Sequence, residues 1–116
     1  MTIKRLHVGP RLSEMAIHNG VVYLAGQVAE DTSLDAAGQT QQVLAAIDRL
    51  LAEGDSDKTR ILQATIFVKS MNDFPALNAV WDKWVVHGHT PPRATVEAGL
   101  AKSDYLVEIK IVAAQR

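Results

Sequence analysis

Apolar and polar residues alternate with period two in several short runs of this chain and with a helical period in two longer ones. Ile3, Arg5 and His7 alternate against Lys4, Leu6 and Val8, a short strand that Gly9-Pro10 stops. Met15 to His18 and Val21 to Gln27 flank Asn19-Gly20, a pair suited to a type I′ turn because both central positions need positive φ, so a β-hairpin is expected. Gly26 ends the apolar run of the second strand. Two readings of it stand: a bulge or exit turn, or a place where the backbone comes close to a ligand.

Glu30 to Ser33 is a polar connection, after which Asp35 can accept hydrogen bonds from the free amides of a first helical turn. Val43, Leu44, Ile47, Leu50 and Leu51 recur at helical spacing up to Glu53, and Gly54 suits the left-handed position that follows a helix. Asp55 to Thr59 reads as a solvated loop. Ile61 to Val68 reads as a strand buried on at least one side, with Leu62, Ala64, Ile66 and Val68 in register. Asn72 or Asp73 is expected to cap a second helix with Pro75 in its first turn, where a missing amide costs little. Phe74, Leu77, Trp81, Trp84 and Val85 mark its buried face, and Gly88 ends it. The two tryptophans could stack a ligand, but their helical spacing assigns them to the core.

Thr90 to Ala114 holds two further strands separated by a polar turn at Lys102, Ser103 and Asp104. In the first, Arg93, Thr95 and Glu97 share a face. In the second, Val107, Ile109, Ile111 and Ala113 form the apolar face and leave Glu108 and Lys110 opposite. The order β-ββ-α-β-α-ββ argues an α+β fold, a two-layer sandwich of a mixed, roughly six-stranded sheet with two helices on one face. The other sheet face is then uncovered, and Arg93, Thr95, Glu97 and Glu108 are expected on it, with Arg93 and Glu108 on neighbouring strands. Leu106 and Val112 add apolar surface there, so association through this face is a natural outcome.

The length of 116 residues suggests a single domain over residues 1–116, with a core that an oligomer interface would reinforce. Hydrophobic residues at 47% and charged residues at 22% are ordinary globular values and argue against disorder. A net charge of −1 supplies no general attraction to phosphate backbones or anionic membranes. Cysteine is absent, which excludes disulfides, thiolate metal sites and a cysteine nucleophile. No secretory pattern opens the chain, and no apolar run approaches the roughly 18 residues of a spanning helix, so a soluble cytoplasmic protein is expected.

Two charged residues stand out chemically. The planar fork of Arg93 matches a carboxylate with two parallel hydrogen bonds, and Pro91-Pro92 gives it a rigid entry. Its competing reading is an ion pair with Glu97 or Glu108. Glu108 could orient or deprotonate an attacking water, or simply pair with Lys110 or Arg93. Asn78, early in its helix, is ordinarily a local backbone partner. His87 and His89 have no further ligands nearby and do not make a metal site; His7 and His18 look structural.

Pro92-Arg93-Ala94-Thr95-Val96-Glu97, with Glu108 inside Val-Glu-Ile fifteen residues after the arginine, resembles the closing signature of the RidA family of reactive intermediate deaminases. Gly26-Gln27 after an apolar strand, and Asn72-Asp73-Phe74 with Asn78, agree in order and spacing. The resemblance runs over nearly the whole chain, and the ending Val107 to Ala114 with Gly88-His89 is most similar to the short YoaB-like branch. It implies a chorismate-mutase-like fold assembled into a homotrimer with clefts between subunits. It also implies cofactor-independent and metal-free hydrolysis of enamine or imine intermediates, such as 2-aminoacrylate, to 2-keto acids and ammonia.

Carried over residue by residue, the resemblance makes Arg93 and Glu108 catalytic. It sets Arg93, Thr95, Asn78, Gly26, Ala25 and Leu12 around a small carboxylate-bearing imine or keto-acid ligand. The chain departs from the family at three of these places. Thr95 replaces a cysteine, Ala25 removes a hydroxyl, and Arg11 or Leu12 stands where an aromatic would stack. A non-catalytic module that holds 2-keto acids through Arg93 is the alternative, separable by whether Glu108 matters. An RNA-directed endonuclease activity is a third reading, against which the near-neutral charge argues.

Overall fold

Strand register decides which side chains of this protein can meet. In the computed structural model, which describes residues 2–116, one mixed sheet contains seven strands: β1 (Lys4–Val8), β2 (Ser13–His18), β3 (Val21–Leu24), β4 (Gln27–Val28), β5 (Ile61–Val68), β6 (Arg93–Glu97) and β7 (Val107–Ala114). Their spatial order is β1-β2-β3-β7-β5-β6, with β4 also paired to β7. Only β5 and β6 run parallel, joined by a crossover through α2 (Phe74–Trp84); every other pair is antiparallel. With α1 (Ala36–Glu53), α2 covers one face of the sheet. This is the α+β arrangement expected, with Gln27–Val28 split off as an additional strand.

Asn19 and Gly20 both have positive φ, 53° and 73°, as the type I′ hairpin between β2 and β3 requires. Asp35 caps α1 by accepting the Gly38 amide at 2.9 Å. Val43, Leu44, Ile47, Leu50 and Leu51 of α1 pack with Ile66, Ile109, Ile111, Leu77 and Trp81 in one core. Gln39 is fully buried in this helix, and its amide is satisfied. It donates to the carbonyls of Leu34 and Asp104 and accepts the Leu106 amide, so it ties two loops to α1.

Five local expectations need correction. Gly54 is not left-handed: its φ is −83°, and the positive φ of 59° falls on Asp55. Glycine is needed at 54 for room, because a Cβ there would lie 2.9 Å from the Met15 sulfur. Asp55 to Thr59 is more than a loop. Ser56 is fully buried and donates to the Ala114 carbonyl, while Asp57 caps a single turn at Lys58–Arg60. A register shift between Ile61 and Gln63 buries Ile61 and turns Leu62 outward, at 48% exposure. Finally, α2 ends at Trp84, before Gly88, and Asp73 at its start makes no side-chain cap bond.

The largest correction concerns the faces of the sheet. β6 does not neighbour β7, because β5 lies between them. Arg93 pairs with Ala64, Thr95 with Ile66 and Glu97 with Val68, and those partners of β5 are buried under the helices. Paired residues point to the same side of a sheet, so Arg93, Thr95 and Glu97 belong to the helix-covered face at its edge. Glu108 pairs with Phe67, which pairs in turn with Val96, and this row looks out from the open face. Tyr23 and Val96 there are 46% and 44% exposed.

Candidate functional site

Arg93 opens β6 directly after Pro91-Pro92, and its side chain reaches over the start of α2. Its Nη2 donates to Asn78 Oδ1 at 2.8 Å. Its guanidinium carbon lies 5.3 Å from the centre of the Trp81 ring and 5.7 Å from that of Phe74. Phe74, Asn78 and Trp81 are spaced i, i+4, i+7 and so share one stripe of α2, which makes the helix a cradle for the cation. Arg93 forms no ion pair among the described residues, so neither Glu97 nor Glu108 neutralises it. Glu97 instead accepts the Met71 amide at 2.9 Å. The Thr95 hydroxyl, two residues along the same face, is buried and has no hydrogen-bond partner among the described residues.

The aromatic support under Arg93 was legible only in part. Trp81 is a core residue, as its spacing implies, at 5% exposure. Its ring face also meets the cation. The signal was the placement of Asn78 inside an aromatic helical stripe, which is a poor position for a residue bonding only to its own backbone.

Glu108 is half-buried on β7 and pairs laterally with Phe67 and Val28. Its carboxylate enters no hydrogen bond or ion pair among the described residues, so its pairing with Lys110 or Arg93 is not seen. Gly26 stands against it, and Ala25 before Gly26 donates its amide to the Glu14 carbonyl at 2.9 Å. A shallow cavity of about 250 Å³ opens beside the carboxylate, bounded by Phe67, Ala98, Gly99, Leu100 and Ala101. Leu12 lies 53% exposed in the turn between β1 and β2, where its carbonyl accepts the Gly9 amide. His87 and His89 are exposed beyond α2, and no group of three potential metal ligands occurs among the described residues.

The candidate residues therefore form two groups rather than one. Arg93, Asn78 and Thr95 lie at the β6–α2 edge; Glu108, Gly26 and Ala25 lie on the open face. Arg93 is level with Ala64 and Glu108 with Phe67. Their α-carbons are thus separated by about 10 Å along the strands and about 10 Å across two strand spacings, on opposite faces. A four-carbon acid cannot bridge that gap around the sheet. Within one chain, the arginine and the carboxylate cannot serve the same small molecule.

Comparison with known proteins agrees with this architecture. The family described as Endoribonuclease L-PSP matches residues 2–115. The RutC family protein YoaB of Escherichia coli K12 is 51% identical over 114 residues, covering 98% of this chain and 99% of that protein. The 2-iminobutanoate/2-iminopropanoate deaminase of Salmonella typhimurium is 33% identical over 114 residues, covering 93% and 85% of the two chains. The crystal structure of a YjgF-family protein of Neisseria meningitidis superposes with a TM-score of 0.97 at 48% identity, covering 100% of this chain and 97% of that one. The matched fold and the end-to-end identities agree: this chain belongs to the RidA/YjgF family, also named RutC or L-PSP, in its YoaB-like branch.

Proposed function

We propose that this protein is a cofactor-independent deaminase that hydrolyses small 2-imino acids, and their enamine tautomers, to 2-keto acids and ammonia. The reaction takes place between chains of a homotrimer. The observation that carries the reading is that two opposite charges are held half-buried and un-neutralised. Arg93 is braced by Asn78 and two aromatic rings, and Glu108 stands without a partner. The named deaminase at 33% identity supports the same chemistry for the family. Apolar exposure of Tyr23 and Val96 on the open face supports association there. A neighbouring copy that sets its Glu108 against the β6–α2 edge would complete a site that one chain leaves divided.

In this site two parallel N–H donors of the Arg93 fork, left free by the single bond to Asn78, bind the substrate carboxylate, and Asn78 keeps the fork turned towards it. Glu108 from the neighbouring copy takes a proton from a water as its oxygen attacks C2 of the imine. The imine nitrogen gains that proton; Glu108 then passes the hydroxyl proton of the tetrahedral carbinolamine to the nitrogen, and ammonia leaves as the C2–N bond breaks and the C2=O bond forms. One water enters and one ammonia leaves. The imine is already electrophilic, so orientation and one positioned base suffice.

The test is ammonia release from 2-aminoacrylate generated by a serine or threonine dehydratase, corrected for spontaneous hydrolysis. Wild type should accelerate it, and Arg93→Ala and Glu108→Ala should each abolish the acceleration. Mixed assemblies of the two variants should recover part of the activity, because some clefts then receive an intact arginine and an intact glutamate from different chains. No recovery, together with a monomeric mass in solution, would overturn the inter-chain site. An inactive wild type that binds 2-keto acids through Arg93 would make the protein a binding module.

A further inference from the structure

Tyr23 pairs with Val112, and Gln27 pairs with Ile109. Four steps along one strand thus match three along the other, which is a one-residue bulge at Ala25-Gly26 opposite Lys110. Gly26 does not have a positive φ, so no left-handed conformation demands glycine there. What demands it is room. A Cβ on Gly26 would lie 2.1 Å from Glu108 Oε2, 2.9 Å from Cδ and 3.1 Å from Cγ. The carboxylate lies directly on the bare backbone of the bulge.

We infer that Gly26 is a positioning residue for Glu108: the bulge presents a seat without a side chain, and that seat sets where the carboxylate stands in the cleft. The inference rests on the deaminase reading for its effect on rate, though not for the seat itself. The clash from a methyl group at 26 falls first on the mobile end of the Glu108 side chain. Gly26→Ala therefore displaces the carboxylate while leaving the core untouched. Gly26 then acts through Glu108 and not through the ligand, which distinguishes it from a glycine whose backbone meets the substrate.

Two measurements test this separately. The first is the carboxyl ¹³C resonance of Glu108, assigned by its loss in Glu108→Gln, and compared in wild type and Gly26→Ala. A shifted resonance with the remaining spectrum retained is expected; an unchanged resonance overturns the seat. The second is ammonia release. Gly26→Ala should lower kcat about 100-fold, the scale of a 1 Å misplacement of a reacting group, with KM little changed. Added to Glu108→Asp, whose shorter side chain leaves the seat clear and whose residual rate can still be read, it should cause no further loss. An equal loss in that background, or a loss carried by KM, overturns the positioning role.

If wild type releases no ammonia above the blank, the deaminase reading falls and the resonance alone decides the seat. If Gly26→Ala does not fold, Glu108→Asp in the same chain withdraws the carboxylate by one methylene. Restored folding then supports the seat, and continued failure overturns it.

Discussion

The guanidinium carbon of Arg93 stands 5.3 Å from the centre of the Trp81 ring, so the cation proposed to hold the ligand rests against an intrinsic fluorophore. Titration with 2-ketobutanoate is expected to change tryptophan emission. Trp84→Phe should keep the response, although its ring lies 5.4 Å from that of Trp81, and Trp81→Phe should lose it. Arg93→Lys retains the charge and loses the fork, so keto-acid affinity should fall about 10-fold or more.

Asn78 accepts from Arg93 at 2.8 Å, and a carboxylate at the same place would neutralise the cation. Asn78→Asp should therefore weaken 2-ketobutanoate binding more than Asn78→Ala does, while unfolding in urea at a higher concentration than Asn78→Ala. Equal affinities of the two variants would mean that a charge at 78 does not reach the ligand, and an Asn78→Ala affinity equal to wild type would mean that Asn78 orients nothing.

Gly54 and Asp55 should respond to substitution in opposite senses. A methyl group on Gly54 would meet the Met15 sulfur at 2.9 Å and the Val22 methyls at 3.2 and 3.3 Å, all in the packed core. Gly54→Ala should cost about 1–3 kcal/mol in urea denaturation, as overpacking does. Asp55 has φ 59°, and its ion pair with Arg116 is exposed, so Asp55→Gly should be neutral or stabilising.

The Asp57 carboxylate accepts from the hydroxyl and amide of Thr59, with Arg116 and Arg60 nearby, and these hold its pKa below the ordinary 3.8. A lowered pKa in the folded state contributes stability that is present above the unfolded value and is lost as pH falls through the folded value. The urea midpoints of wild type and Asp57→Ala should converge as pH is taken from about 5 towards 2. A gap that stays constant with pH would assign the loss to the cap geometry alone.

The hairpin, both helices and the apolar face of β7 were legible because each is a local pattern: Asn19-Gly20, the stripe from Val43 to Leu51, and Val107 to Ala113. Sheet order was not. Placing β6 beside β7 followed from their adjacency in sequence, whereas the parallel crossover through α2 sets β6 outside β5. That single non-local fact moved Arg93 to the helix side and separated it from Glu108. Leu62 failed for a related reason, since one bulged residue inverts every side chain before it. Motif spacing singles out Arg93, Glu108, Asn78 and Gly26 as candidates. The contact of Gly26 with Glu108 could not be read there, because it joins residues far apart in the chain.

β7 follows every other element along the chain, yet it stands in the middle of the sheet between β3 and β5. Val21 pairs with Ala114 across nearly the whole sequence. Until residues 107–114 are in place, β1-β2-β3 and β5-β6 are two separate ribbons with raw edges. The sheet closes only after long loops have been ordered, which favours slow folding and leaves the nascent chain open to edge-to-edge aggregation. The core shared by the two ribbons therefore stays open until β7 is laid between them.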